Sequence, residues 1–201
     1  LLSNQKVAGR HAFDYFADKF DDPMLLATVQ RCVQIPTEAI LFNIDIEGPI
    51  NKDKTAVFRV FAKVFYNHCG FYGEDLKIAK LEQFIDRQGK TAEFRKIFRQ
   101  INGAEWLESR DSAAFFEDDI VETLESVLGM SETAARNWFN SEENGDMSIH
   151  QLVSEIKEYA DSKGKNFRLL FMVDEVGQYI GDDGDLMMNL QSLVEEIGDK
   201  C

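Results

Sequence analysis

Basic residues are scarce in this chain. Lys and Arg number 22 against 36 Asp and Glu in 201 residues, a formal charge of −14, which opposes adventitious binding to a polyanion such as nucleic acid. DNA contact would need a local patch. The basic stretch "FRKIFRQ", with Arg95, Lys96 and Arg99, is flanked by acidic segments and reads as a solvated helix side. Cysteine is scarce as well. Cys32, Cys69 and Cys201 lie far apart with no Cys-x-x-Cys spacing, which argues against a disulfide framework or a zinc knuckle and suits a reducing cytoplasm. His11, His68 and His150 share no motif with a carboxylate or thiol, so zinc ligation is not indicated. No apolar run approaches the ~20 residues of a membrane span, and no basic segment with a cleavage site opens the chain. The length suits one domain, or a domain with an insertion.

A phosphate-binding loop is missing too. The nearest match to G-x-x-x-x-G-K-[ST] is "GPINKDKT", residues 48–55, in which Asp53 replaces the second glycine. A carboxylate and a Cβ there would crowd and repel the phosphates that the loop's N–H groups cradle. A strand-to-helix turn with solvated lysines is the better reading.

Among what is present, "AILFNIDIEG", residues 39–48, predicts a strand with Ile40, Phe42, Ile44 and Ile46 on one face and Asn43, Asp45 and Glu47 on the other. Next, "AVFRVFAKVFYNHCGF" predicts an amphipathic helix on the stripe Val57, Phe61, Val64 and Phe65, ending near Gly70. From 74 to 140 the period is helical throughout. Ile78/Leu81/Ile85, Phe94/Ile97/Phe98/Ile101 and Phe116/Ile120/Leu124/Val127 follow one another, with turns at Gly89, Gly103 and Gly129 and an N-cap at Ser131. A further helix on Ile149, Leu152, Val153, Ile156 and Tyr159 ends before Gly164, the apolar strand "FRLLFMV" follows, and "LMMNLQSLVEEIG" closes the chain as a helix. The opening "LLSNQKVAGR" reads as the end of a helix running out through Gly9, and the chain as a fragment. "NSEENGDMSIHQ" has part of the spacing of an EF-hand loop, but Gln151 stands where a bidentate Glu is wanted; a polar turn is the expectation, a calcium module the alternative.

The chemistry-bearing pattern is "FMVDE". An apolar strand buried on both faces, residues 167–173, delivers Asp174 to the edge where a nucleotide's Mg²⁺ sits, and Glu175 can polarise the attacking water. Acids also end strands merely to solvate them, so both readings stand. The surroundings are acidic, with 14 acids and 5 bases from residue 141 to 201, a field that a divalent cation would partly neutralise.

Taken together, "ILFNIDIEGP", "FRLLFMVDEVGQYIGDD" and "LMMNLQSLVEEIGDKC" make the chain resemble the BrxC family, the large P-loop ATPases of the bacteriophage-exclusion (BREX) defence systems. The resemblance implies an α/β fold: a partial P-loop NTPase, AAA+-like or STAND-like, with a parallel sheet and a large helical insertion, helix-dominated overall. Its division would be an NTPase core at 1–73, a helical insertion at 74–140 and the core continued at 141–201. Ile40 to Ile46 and Leu169 to Val173 would then pair in parallel. It further implies that Glu175 is the general base, that Asp174 holds Mg²⁺ through water, and that the Walker A loop lies upstream of Leu1. Gln178 is left without a role, and sensor and arginine-finger positions would lie beyond Cys201. ATP and Mg²⁺ are the cofactors expected of the full-length protein, this fragment being inactive alone. Other subunits of a cytoplasmic antiphage complex are the expected partners, with self-association through an uncovered strand edge. The rival is a non-catalytic acidic helical scaffold that binds proteins.

Overall fold

The computed structural model describes residues 1–49, 52–141, 145 and 147–201. Two compact units divide the chain, one of residues 1–48 with 153–201 and one of residues 49–152. The segment 74–140 falls inside the second.

The first unit opens with a hairpin, β1 (Lys6–Val7) against β2 (Arg10–His11), antiparallel. Ala8 and Gly9 both take positive φ, 48° and 84°, the requirement of a two-residue turn whose twist matches that of its strands. The helix end expected at Gly9 is therefore a hairpin turn. Two helices unforeseen in the sequence follow, α1 (Ala12–Ala17) and α2 (Pro23–Val33). Asp22 caps α2 by accepting from Met24 N and Leu25 N, with Pro23 at the first helical position.

The sheet of this unit is β3 (Thr37–Asn43) paired in parallel with β4 (Arg168–Asp174), in the register Ile40 with Phe171 and Asn43 with Asp174. Here the expected fold class needs correction. A P-loop parallel sheet is not found: among the described residues these two strands form a sheet of their own, and the chain is otherwise helical apart from the small hairpin. The residues explain it. Outside β3 and β4 the long apolar patterns repeat every three to four positions and wind into helices. β3 is also shorter than expected, because Asn43 Oδ1 accepts from Asp45 N and Ile46 N and turns Ile44–Glu47 into the short helix α3. Ile40, Phe42 and Ile44 are buried as anticipated, but Ile46 is 77% exposed. Nor is β4 buried on both faces, since its residues are half-buried and Met172 is exposed.

Side chains distant in sequence fasten the sheet. Arg168 donates to Thr37 Oγ1 (3.1 Å) and to the Cys32 carbonyl (2.7 Å), tying β4 to the end of α2 and the start of β3. After β4 come α11 (Val176–Ile180) and α12 (Gly184–Lys200), the latter capped by Asp183 and burying Leu186 and Leu193.

The second unit begins with α4 (Ala56–His68), in which Val57, Phe61 and Phe65 are buried together with Phe58, Val60 and Tyr66. Beyond it α5 (Leu76–Arg87), α6 (Thr91–Asn102), α7 (Trp106–Ser109), a 3₁₀ turn (Arg110–Phe116), α8 (Glu117–Leu128) and α9 (Glu132–Asn140) build one hydrophobic cluster. Phe94 and Phe98 both meet Trp106 edge-on at 5.1 Å, a favourable arrangement of ring quadrupoles. Gly103 and Gly129 end α6 and α8 in the left-handed conformation, as their positions suggested. The Ser131 hydroxyl caps α9 by accepting from Ala134 N.

One polar group sits inside this apolar cluster. The carboxylate of Glu82, 7% exposed, accepts from Tyr72 N (2.6 Å), Trp106 Nε1 (2.7 Å) and Arg110 Nη1 (3.1 Å). It joins α5 to the loop before it, to α7 and to the 3₁₀ turn. A helix α10 (Ile149–Lys163) follows among the described residues; the boundary between the units falls between its Leu152 and Val153.

Candidate acidic site at the strand ends

Both carboxylates singled out in the sequence stand at the C-terminal end of β4, the end at which parallel strands present ligand-binding groups. Asp174 is the last residue of the strand and is exposed. Its Oδ1 accepts from Glu175 N at 2.9 Å, and Oδ2 makes no hydrogen bond to any described residue. Glu175 takes φ 60° and ψ 24°, the left-handed region, and precedes α11 without capping it through its side chain. A glutamate there costs roughly 1 kcal/mol relative to glycine. Its exposed carboxylate has no partner among the described residues.

The adjoining strand contributes Asn43, the register partner of Asp174. Beyond it α3 packs on α11, and that contact leaves no space at Gly48. A Cβ added there would lie 2.5 Å from Tyr179 Cε2 and 2.8 Å from the Ile44 carbonyl oxygen. Tyr179 is 2% exposed and cannot swing aside. Two short helices, each leaving one strand of the parallel pair, thus hold the site's rim by direct contact. Sequence reading missed this pairing: Gly48 passed for ordinary turn punctuation, and nothing near it in the chain names Tyr179.

The donor set suits a hard cation. Two carboxylates with uncommitted oxygens match the way Mg²⁺ is held by one or two acids, water and phosphate. Among the described residues no group of three or more His, Cys, Asp or Glu could hold a metal ion, so the acids would act with oxygens of the ligand itself. Gln178 is exposed on α11.

The segment 48–55 folds as a turn where it is described. Asp53 Oδ1 accepts from Thr55 N (2.7 Å) and from Thr55 Oγ1 (2.6 Å) just before α4. These two bonds, with Arg59 and Lys54 nearby, hold the Asp53 carboxyl below its ordinary pKa. The Thr55 hydroxyl gives its proton to Asp53 and so helps close the turn on itself. Ile50 and Asn51 lie outside the described residues. So do Glu142, Glu143, Asn144 and Asp146, the heart of the EF-hand-like stretch.

A second polar cluster, invisible in the sequence because 121 residues separate its members, sits at the other end of β3. Tyr159 Oη donates to Glu38 Oε2 at 2.6 Å, and Lys163 Nζ donates to Glu38 Oε1 at 3.1 Å. Burial, then the bond to Glu38, raises the pKa of Tyr159; the bonds to Tyr159 and Glu38 raise that of Lys163. Its donors are matched to its acceptors, as in a structural clasp.

Among the described residues no helix is long and apolar enough to cross a membrane. No protein-family model matches the sequence, and no solved structure matches the chain.

Proposed function

We propose that the chain supplies the acidic half of a magnesium–ATP site to an ATP-hydrolysing subunit of a bacterial antiphage complex of the BREX type, working in the cytoplasm with the other subunits as partners. One observation carries this reading: at the end of a parallel strand stand two adjacent acids, Asp174 and Glu175, the second held in left-handed backbone geometry at a cost. Strained non-glycine residues persist chiefly where the strain serves a task. Asp174 would hold the magnesium through water, and Glu175 would take the proton of the attacking water. When bound, Mg²⁺ supplies charge neutralisation on the phosphates. Groups that cradle the phosphates would have to come from outside this site, so little turnover is proposed for the chain alone.

Glu175→Gln in the intact protein tests the assignment, because it removes the base while keeping the size of the side chain. ATP binding should survive and turnover should fall by about 10²-fold or more. Undiminished hydrolysis would refute it.

A second reading, the acidic protein-binding scaffold, is favoured by the exposed apolar residues. Leu41 (73% exposed) and Met172 (53%) are register partners on one face of the sheet, and Met187, Met188 and Val194 are exposed on α12. Exposed apolar side chains that stand side by side, as Leu41 and Met172 do, are the kind of surface that marks interaction sites. Concentration-dependent association by light scattering, abolished in Leu41→Lys/Met172→Lys, together with a silent Mg²⁺-dependent nucleotide titration, would favour the scaffold over the ATPase.

A further inference from the structure

Exposed apolar side chains are unevenly shared between the two units. Among the described residues, every exposed large hydrophobic residue except Leu107 and Phe115 belongs to the unit of residues 1–48 and 153–201. Two of them, Leu41 and Met172, are register partners on β3 and β4. Alternate residues of a strand share a face, so Leu41 and Met172 continue the half-buried pair Ala39 and Leu170. The same face starts at Arg168, whose guanidinium is taken up by Thr37 and the Cys32 carbonyl, and it ends at Asp174. The opposite face holds the buried Ile40 and Phe42.

Charge around this face has one sign. From Leu169 to Asp199 there are eight acids and no Lys, Arg or His, and from Cys32 to Gly48 three acids and no base. β3, β4 beyond Arg168, and α3, α11 and α12 up to Lys200 all lie in these base-free stretches. An apolar strip in an acidic surround favours a cationic partner over a second copy of the same face, whose acids would meet its own. Two strands about 4.8 Å apart make a face about as wide as one helix, roughly 10 Å. A helix covers such a face with its side chains, as in layered folds.

We propose that this face is the docking site for a basic amphipathic helix of a partner protein, its apolar stripe laid over Leu41 and Met172 and its Lys or Arg residues toward the acidic end at Asp174. The proposal rests on the protein-binding reading and names the chemistry of the partner. Apolar contact supplies the affinity, as in other recognition of amphipathic helices, while the charges orient the helix and select against acidic ones. Met172 suits such a surface, because a flexible thioether fits side chains of varied shape.

The test is fluorescence anisotropy on the intact protein with two labelled synthetic helices of about 20 residues. Both carry the same leucine stripe; lysines flank it in one and glutamates in the other. The lysine helix should bind at least about tenfold more tightly than the glutamate helix, and should weaken about tenfold between about 50 and 500 mM salt. Leu41→Asn/Met172→Gln should weaken it about tenfold or more, whereas Phe115→Asn, at an exposed apolar position of the other unit, should not. Because the altered side chains are exposed, unfolding midpoints should stay within about 2 °C of wild type. Equal binding of the two helices, no binding of the lysine helix, or unchanged affinity in Leu41→Asn/Met172→Gln overturns the proposal. Light scattering separates that failure from failure of the reading beneath it. Protein that binds neither helix yet self-associates through Leu41 and Met172 is still a scaffold, with a second copy as the occupant. Protein whose associations all ignore Leu41→Asn/Met172→Gln loses the scaffold reading of this face as well.

Discussion

Replacing Glu82 by alanine should destabilise the helical unit severely, and the size of the effect follows from its three donors. The carboxylate is nearly inaccessible and accepts from a backbone amide, an indole and a guanidinium. Hydrogen bonds to a charged group are worth about 1.5–3 kcal/mol each. Arg110 keeps 23% of its side chain exposed, so water recovers part of its loss. The Trp106 indole, 1% exposed, has no such recourse, and Tyr72 N sits in a half-buried loop. Because the three bonds share one acceptor group they do not add, and a net loss of about 3–5 kcal/mol is expected, the range for removing one partner of a buried pair. Glu82→Gln keeps the volume and one acceptor but turns an amide donor toward another donor; about 2–3 kcal/mol is expected. Urea unfolding followed by far-ultraviolet circular dichroism measures both. A double-mutant cycle with Trp106→Phe should show a coupling above about 1 kcal/mol. A loss below about 1 kcal/mol for Glu82→Ala at unchanged urea dependence would refute the account of Glu82 as the bond holding α5, α7 and the 3₁₀ turn together.

Glu175→Gly should relieve the left-handed strain and stabilise the fold by about 1 kcal/mol while eliminating turnover in the intact protein; destabilisation would show that the side chain, not the backbone, sets the local geometry. Gly48→Ala should cost about 1–3 kcal/mol by overpacking against Tyr179 and the Ile44 carbonyl, read from the urea midpoint, and a neutral result would mean the α3–α11 contact opens freely. Tyr159 and Lys163 both have raised pKa values, so the folded state holds their protons more tightly than the unfolded one. Their contribution is present below about pH 10 and is lost as pH rises through the folded values. The urea midpoint should therefore fall above about pH 10, and fall less in Tyr159→Phe.

How far the sequence could be read depended on the range of the interactions concerned. Helices α5, α6, α8 and α9 were legible because their apolar stripes, glycine stops and Ser131 cap are local signals. Both strands were legible too, as was the placement of Asp174 and Glu175 at a strand end, whereas the strands' parallel pairing was expected only from the resemblance. α2 was passed over although Asp22-Pro23 announces a helix start. The sheet was overestimated: two strand-like segments were extended to a whole P-loop sheet by resemblance, where the described residues support a two-stranded one. β3 was drawn too long because Asn43 was read by its place in an alternation and not as a cap that stops a strand. The left-handed Glu175, the Gly48–Tyr179 contact and the Glu38 clasp depend on backbone angles or on partners more than a hundred residues away, which no window of sequence displays.

The register of β3 on β4 also has a kinetic side. Thr37 and Arg168 are 131 residues apart in the chain, and most of the described residues between them belong to helices whose contacts are short in sequence. Closing so long a loop is entropically unfavourable while the intervening chain is disordered, although the cost grows only logarithmically with length. Helical contacts form on faster timescales. The helical unit should therefore gather first and shorten the flexible path between the strands, so that the acidic edge comes into being late. A refolding experiment should then recover Trp106 burial before any property that depends on Asp174 and Asn43 lying side by side.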